Sequence, residues 1–479
     1  MCALYLSEET DHPLQELKAI ASEAGRELTS KALAAELDSR DPLAHCRSRF
    51  RIPHASSSSS SASTLGSTAS SSDTSSTSDV SSGACPWLYF CGNSLGLQPR
   101  ATPGLINEEL EIWANLGVEG HFASANKVRP WADTDLFVQK QSARLVGAQT
   151  EEVAIMNSLT VNLHLLMIAF YKPTKDRYRI IVEGGAFPSD RYALESQAQL
   201  HNLDPKDTIV ELHPREGERT LRTEDILDTI RAQGDKLALV LMSGVQYYTG
   251  QYFDIPSITS TAHSVGALAG FDLAHAVGNV PLRLHDWEVD FACWCTYKYL
   301  NSGPGNIGGA FVHMIHGKRH DLHRLSGWWG HNAKTRFDMT KPFDPIPGAL
   351  GFRLSNPPVL CVTALLASLQ EFERVSMEQL RQKSLLLTAY LEHLLLSELG
   401  SDCLEIITPK NFEERGCQLS LLFHDLTLLD KVVIHFEKHH VCCDVRKPNV
   451  IRVAPVPLYN RFVDVYHFVR LLKEVVVAK

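Results

Sequence analysis

From Trp87 onward, short apolar runs alternate with longer amphipathic stretches. The clearest runs, at 179–182, 208–212, 237–242, 267–272 and 290–295, have the length and β-branched content of buried strands. The stretches between them are long enough for crossover helices, which predicts a largely parallel sheet in an α/β fold. Past Asn356 the pattern changes. Two long helical periodicities, at 359–375 and 377–398, lead into short strands at 404–408, 417–423, 441–446 and 450–454. A last helix is expected over 461–477, so the C-terminal part reads as a smaller α+β unit. At the other end, Leu14, Leu17, Ile20 and Ala21 recur at helical spacing, and 12–50 read as helical.

One segment breaks the pattern. Sixteen serines lie between Ser56 and Ser82, with almost nothing apolar among them. Such a segment cannot offset its ordering entropy and is expected to be disordered. The expected organisation is a helical segment (1–54), a serine-rich insertion (55–84), a large α/β domain (85–350) and a small domain (351–479).

A chain of 479 residues, 44% of them hydrophobic, is long enough for more than one core. The formal net charge of −9 argues against nucleic acid or an anionic membrane as the main partner. No apolar run reaches the length of a membrane helix, and the first residues lack the pattern of a targeting segment. The eleven cysteines are scattered, which fits reduced thiols and a cytoplasmic protein. Cys293-x-Cys295 and Cys442-Cys443 have no second pair at zinc-like spacing, so no metal site is expected.

The chemistry centres on Gly270-Phe-Asp272-Leu-Ala-His275 and Cys295-Thr-Tyr297-Lys298-Tyr299-Leu. In parallel sheets, ligands bind at the carboxyl ends of the strands, and Asp272 ends one. Lys298 follows the next, in a loop rich in small residues (Ser302, Gly303, Gly305, Gly308, Gly309). A strand-end acid and a partly desolvated lysine are what pyridoxal 5′-phosphate requires. The acid keeps the ring nitrogen protonated, and the lysine holds the aldehyde as a Schiff base. Taken singly, Asp272 reads as a helix cap and Lys298 as a surface lysine. The ordered set, with His275 and Tyr297, favours the site.

Phosphate capture needs free amides. Met156-Asn-Ser158-Leu159-Thr160-Val-Asn162 opens a helix, and helix starts bind anions. The alternative is ordinary capping by Ser158 or Thr160. In Ala186-Phe187-Pro188-Ser189-Asp190, Phe187 is a candidate to stack on the pyridine ring, with a core phenylalanine as the bland reading.

Together these motifs resemble the eukaryotic kynureninases. The resemblance adds Gly92-Asn-Ser94-Leu-Gly96-Leu, Leu159-Thr-Val-Asn-Leu-His164, Phe271-Asp-Leu-Ala-His-Ala-Val-Gly278, Gly351-Phe-Arg-Leu-Ser-Asn-Pro-Pro358, Gly416-Cys-Gln-Leu and Arg452-Val-Ala-Pro-Val-Pro-Leu-Tyr459. It runs from about residue 12 to the end, broken by the serine tract. Asn306 stands where a glycine is expected.

The resemblance implies a fold-type I pyridoxal phosphate enzyme with a mainly parallel seven-stranded sheet, acting as a homodimer. It implies hydrolysis of L-kynurenine or 3-hydroxy-L-kynurenine to anthranilate or 3-hydroxyanthranilate plus L-alanine. Lys298 is then the Schiff-base lysine, Asp272 faces the ring nitrogen and Phe187 stacks on the ring. Leu159, Thr160, Tyr297 and Ser243 hold phosphate, and Tyr297 is the candidate proton shuttle. Pro188, Ser189, Asp190 and His275 line the cofactor pocket, while Trp328 and Asn356 reach it from the neighbouring subunit. Arg452 grips the substrate α-carboxylate, with Ser94, His121, Ser355 and Asn356 at the substrate end. His121 and Asn356 are suited to a ring hydroxyl, which predicts a preference for the 3-hydroxy substrate. Two rival readings remain. A cysteine desulfurase would use Cys361 or Cys417, and a silent binding protein would have lost Lys298, Asp272 or Arg452.

Overall fold

A computed structural model of the chain describes residues 12–54, 86–317, 319, 322–339, 342–400 and 403–477. The serine tract lies outside the described residues. Seven strands form one sheet: β1 (Val153–Ile155), β2 (Arg179–Glu183), β3 (Ile209–Leu212), β4 (Leu237–Ser243), β5 (Leu268–Asp272), β6 (Phe291–Cys295) and β7 (Gly308–Val312). Their order is β1-β7-β6-β5-β4-β2-β3. The run from β3 to β6 is parallel, whereas β7 is antiparallel to both its neighbours. The sheet is therefore mixed. Its central strands are buried on both faces, as parallel strands covered by crossover helices must be.

Two expected features differ in detail. The continuous helical reading of 12–50 resolves into α1 (Pro13–Glu23) and α2 (Lys31–Arg40). Gly25, at φ +60, turns the chain between them. Strands β1 and β7 were not expected. β7 begins Gly308-Gly309, residues depleted in strands, and read as loop. The structure gives the reason for Gly309: a Cβ there would meet the Trp294 ring at 2.2 Å.

Next come α3 (Leu159–Phe170), α4 (Pro188–Leu200), α5 (Val359–Phe372) and α6 (Met377–Leu399). A second, antiparallel sheet is built from β8 (Leu404–Ile406), β9 (Leu419–Phe423), β10 (Asp444–Arg446) and β11 (Val450–Val453), in the order β8-β9-β11-β10. The expected strand over 441–446 splits. Val441–Cys442 pairs with Leu88–Tyr89, and Asp444–Arg446 turns into the small sheet. Helix α7 (Phe462–Val476) closes the chain. Leu17, Ile20, Leu33 and Leu37 of α1 and α2 pack into the same core as Leu391, Ile451 and Phe468. Each such leucine contributes about 1.5–3 kcal/mol of burial, so the first helices and the C-terminal residues stabilise one another. Among the described residues no helix is long and apolar enough to cross a membrane.

Candidate active site

The parallel strands all end at one edge of the large sheet. Glu183 ends β2, Ser243 ends β4 and Asp272 ends β5, with Ser243 paired to Asp272. Lys298 follows β6 in a tight loop. Asn301, at φ 54, turns it, and its amide N–H bonds back to the Lys298 carbonyl at 3.0 Å. Asn306 explains itself here. Its side chain donates to the Ser302 carbonyl (2.7 Å) and the Cys361 carbonyl (3.0 Å), bracing the loop.

These ends surround a cavity of about 240 Å³, lined by Lys298, Asp272, His275, Asp190, Phe187 and Tyr297, with Leu159, Thr160, Ser189 and Ser243. The Lys298 ammonium donates to His275 Nε2 at 2.9 Å. Burial, then the Lys298 charge, holds the His275 imidazole well below its ordinary range, with Arg452 and Arg446 adding to the effect. His275 is therefore neutral, and its buried Nδ1 has no hydrogen-bond partner.

Two buried carboxyls face the lysine. Burial and the neighbouring Asp272 charge push Asp190 well above the carboxylate range, and burial pushes Asp272 up as well. Asp272 also accepts the Ala274 N–H at 2.7 Å, while Asp190 Oδ1 is buried without a partner. A desolvated acid pair with spare acceptor capacity suits a protonated ring nitrogen.

The other sides of the cavity fit the same group. Phe187 is no core residue: its ring is 44% exposed and open to the cavity, with Lys298 Nζ 6.0 Å from its centroid. Pro188 starts α4 with a helical φ, which places Ser189 and Asp190 in the first turn. Ser158 makes no side-chain cap at the start of α3, so the first-turn amides there remain open to an anion. The Thr160 and Ser189 hydroxyls meet beside them at 2.8 Å. Burial and the neighbouring Cys295 thiol push the Tyr297 phenol up, so it keeps its proton. Ser243 lines the cavity, but its hydroxyl and amide both bond Glu183. Sequence reasoning missed Glu183. It is buried, and burial raises its carboxyl to about 7. The signal was present: an acid ending an apolar strand, as Asp272 does.

Arg452 on β11 stands behind the cavity wall. Its Nη1 donates to the carbonyl of Tyr247, a lining residue, at 2.7 Å, its Nη2 lies 2.7 Å from Asp444 Oδ2, and its buried Nε has no hydrogen-bond acceptor. Ser94 follows Asn93, which is tied to Gln418 at 2.8 Å. At Gly96, a Cβ would strike the Lys298 carbonyl at 2.3 Å, so only glycine lets this segment lie against the lysine loop. His121, Trp328, Ser355 and Asn356 do not line this cavity. His121, Phe122, Phe337 and Trp328 instead form a chain of ring contacts on the outer face. Among the described residues no cysteine lines the cavity. Cys417 is buried against Asn279, and Cys361 sits at the start of α5.

Known proteins match the chain over almost its whole length. It is 49% identical over 469 residues to a kynureninase of Monosiga brevicollis, covering 95% of this chain and 98% of the relative. It is 48% identical to the Mus musculus kynureninase, covering 97% of each. It is 52% identical over 388 residues to a kynureninase of Myxococcus xanthus, covering 81% and 90%. The kynureninase C-terminal domain family matches residues 380–472. Among solved structures, a cysteine desulfurase of Thermococcus onnurineus NA1 aligns with TM-score 0.66 at 18% identity, covering 82% of this chain and 95% of that one. The cystine C–S lyase C-DES aligns at 0.64 with 16% identity, covering 81% and 97%. At such identities these structures share the fold only.

Proposed function

The chain belongs to the kynureninase family, and from that premise we propose that it hydrolyses the Cβ–Cγ bond of L-kynurenine and 3-hydroxy-L-kynurenine. The products would be anthranilate or 3-hydroxyanthranilate and L-alanine, in tryptophan catabolism and NAD biosynthesis. The observation that carries this reading is the convergence of Lys298, Asp272, His275 and an uncapped helix start in one cavity. Its cofactor is pyridoxal 5′-phosphate, which when bound links covalently to an amine and draws electrons from the bonds around the substrate α-carbon.

Each residue has a task that follows from its surroundings. Lys298 would hold the cofactor and is the base placed to move the α-proton; His275 holds its Nζ in place. Asp272, with Asp190 beside it, would pair with the cofactor's ring nitrogen and favour its protonated form. Phe187 would offer its ring to stack against the cofactor. Leu159 and Thr160 offer α3 amides and a hydroxyl to the phosphate, assisted by Tyr297. The neutral Tyr297 phenol is a proton donor next to Lys298. The buried Arg452 Nε, which has no acceptor, is open to an oxygen of an α-carboxylate.

His121, Trp328, Ser355 and Asn356 act, in this reading, on the cavity of a second subunit. Exposed Trp328 (47%), Phe337 (51%) and Phe122 (41%) form an apolar patch that a partner would cover. The enzyme would thus be a homodimer. Replacing Lys298 with Ala should lower turnover by about 10³-fold or more, the scale of a lost acid–base group. Near-normal activity in that variant would remove the assignment.

A further inference from the structure

Strands β10 and β11 pair antiparallel, with Asp444 directly opposite Arg452. Cross-strand partners share a face, and Arg446, two residues along β10, shares it too. Asp444 lies between the two arginines. Its Oδ2 is 2.7 Å from Arg452 Nη2, and its Oδ1 is 2.7 Å from Arg446 Nε. Arg446 Nη2 donates to Asp444 Oδ2 at 3.0 Å.

These contacts do not fully satisfy Arg452. Its Nε is buried and has no hydrogen-bond acceptor. Arg452 itself is 1% exposed, so water does not solvate it. Two guanidiniums against one carboxylate leave one net positive charge. One incoming carboxylate would both balance that charge and supply the acceptor that Arg452 Nε lacks. The triad also faces the chemistry. The Tyr247 ring lines the cavity and stands 6.0 Å from each guanidinium carbon, and both arginines depress His275.

We infer that Arg446 is a second carboxylate-binding residue and that Asp444 is a positioning residue for both arginines, so that the subsite is matched to one monoanionic α-carboxylate. The inference rests on the reading of Arg452 as the carboxylate arginine and extends it to two residues. Asp444 offsets the repulsion between two like charges and holds Arg452 by its Nη2, leaving Nε open. Arg446, on the edge strand, approaches the same anion from the solvent side.

The test uses the holoenzyme with four variants: Arg446→Gln, Arg446→Lys, Asp444→Asn and, as reference, Arg452→Gln. Two quantities are read, the kcat and KM for L-kynurenine, and the Kd for L-alanine from the change in cofactor absorption. Arg446→Gln is expected to raise KM and the alanine Kd by about 10- to 100-fold, the worth of one charge-assisted hydrogen bond, with kcat nearly unchanged. Arg446→Lys should recover part of the loss, and Asp444→Asn should raise KM without lowering kcat. A merely structural role would lower kcat and thermal stability together and would not spare kcat. If Arg452→Gln weakens alanine binding while Arg446→Gln leaves it within about twofold, Arg446 is no ligand and the inference is overturned. If Arg452→Gln also leaves alanine binding unchanged, the reading of Arg452 falls with it.

Discussion

The Lys298 ammonium donates to His275 Nε2 at 2.9 Å, joining the loop after β6 to the loop after β5. The bond needs a neutral histidine, and three cations with burial keep it neutral. His275→Leu removes the acceptor, and kcat/KM is expected to fall about 10- to 100-fold, as for a lost hydrogen bond to a charged group. His275→Gln keeps an acceptor and should retain more activity. Equal losses in the two variants would show that the histidine serves packing and not the lysine.

Glu183 gives a pH dependence with a definite sign. Its carboxyl rises from 4.5 to about 7 on folding, so the charged form is penalised in the native state. Its contribution to stability is full below 4.5 and is lost as pH rises to about 7. Glu183→Gln should flatten this part of the profile, as read by urea unfolding of the holoenzyme at several pH values. An unchanged slope would show that Glu183 does not titrate there.

A second buried acid, Asp290, works in the opposite direction. It accepts from His316 Nε2 at 2.6 Å, His263 Nε2 at 2.9 Å and the Ala269 amide at 2.7 Å. These bonds hold Asp290 below its ordinary 3.8 and, with its charge, raise His263 above 6.5. The Asp290 contribution is present above 3.8 and is lost as pH falls through its depressed value. The His263 contribution is present below 6.5 and is lost as pH rises through its raised value. Asp290→Asn is expected to cost about 3 kcal/mol, as when one partner of a buried pair is removed. A change in unfolding free energy under about 1 kcal/mol would contradict this.

His121 and Asn356 do not line the cavity of their own chain, so the proposed action on substrate would come through a second subunit. His121→Ala is expected to reduce kcat/KM for 3-hydroxykynurenine about tenfold while sparing kynurenine, because one polar partner of the hydroxyl is lost. Sedimentation should give the dimer mass. A monomer with full activity would contradict the shared site.

Local grammar made the centre of the site legible in the sequence. Asp272 and Lys298 each follow an apolar run, and Phe187 to Asp190 open a helix behind another. Such strand-end positions are fixed by neighbours in sequence. Glu183 carries the same strand-end signal but lies in none of the motifs. What stayed hidden depends on distant packing. β7 reads as loop until the Trp294 ring is seen against Gly309. The bridge between Arg446 and Arg452 appears only once β10 and β11 are in register. Residues 441–446 read as one strand because nothing local marks the change of sheet at Cys443.

The most direct measurement is product release. The holoenzyme is mixed with 3-hydroxykynurenine, and 3-hydroxyanthranilate and alanine are followed together. Equimolar release of both is the predicted result. A bound cofactor with neither product, or with amino-group transfer to an α-keto acid in place of cleavage, would contradict hydrolysis at the Cβ–Cγ bond.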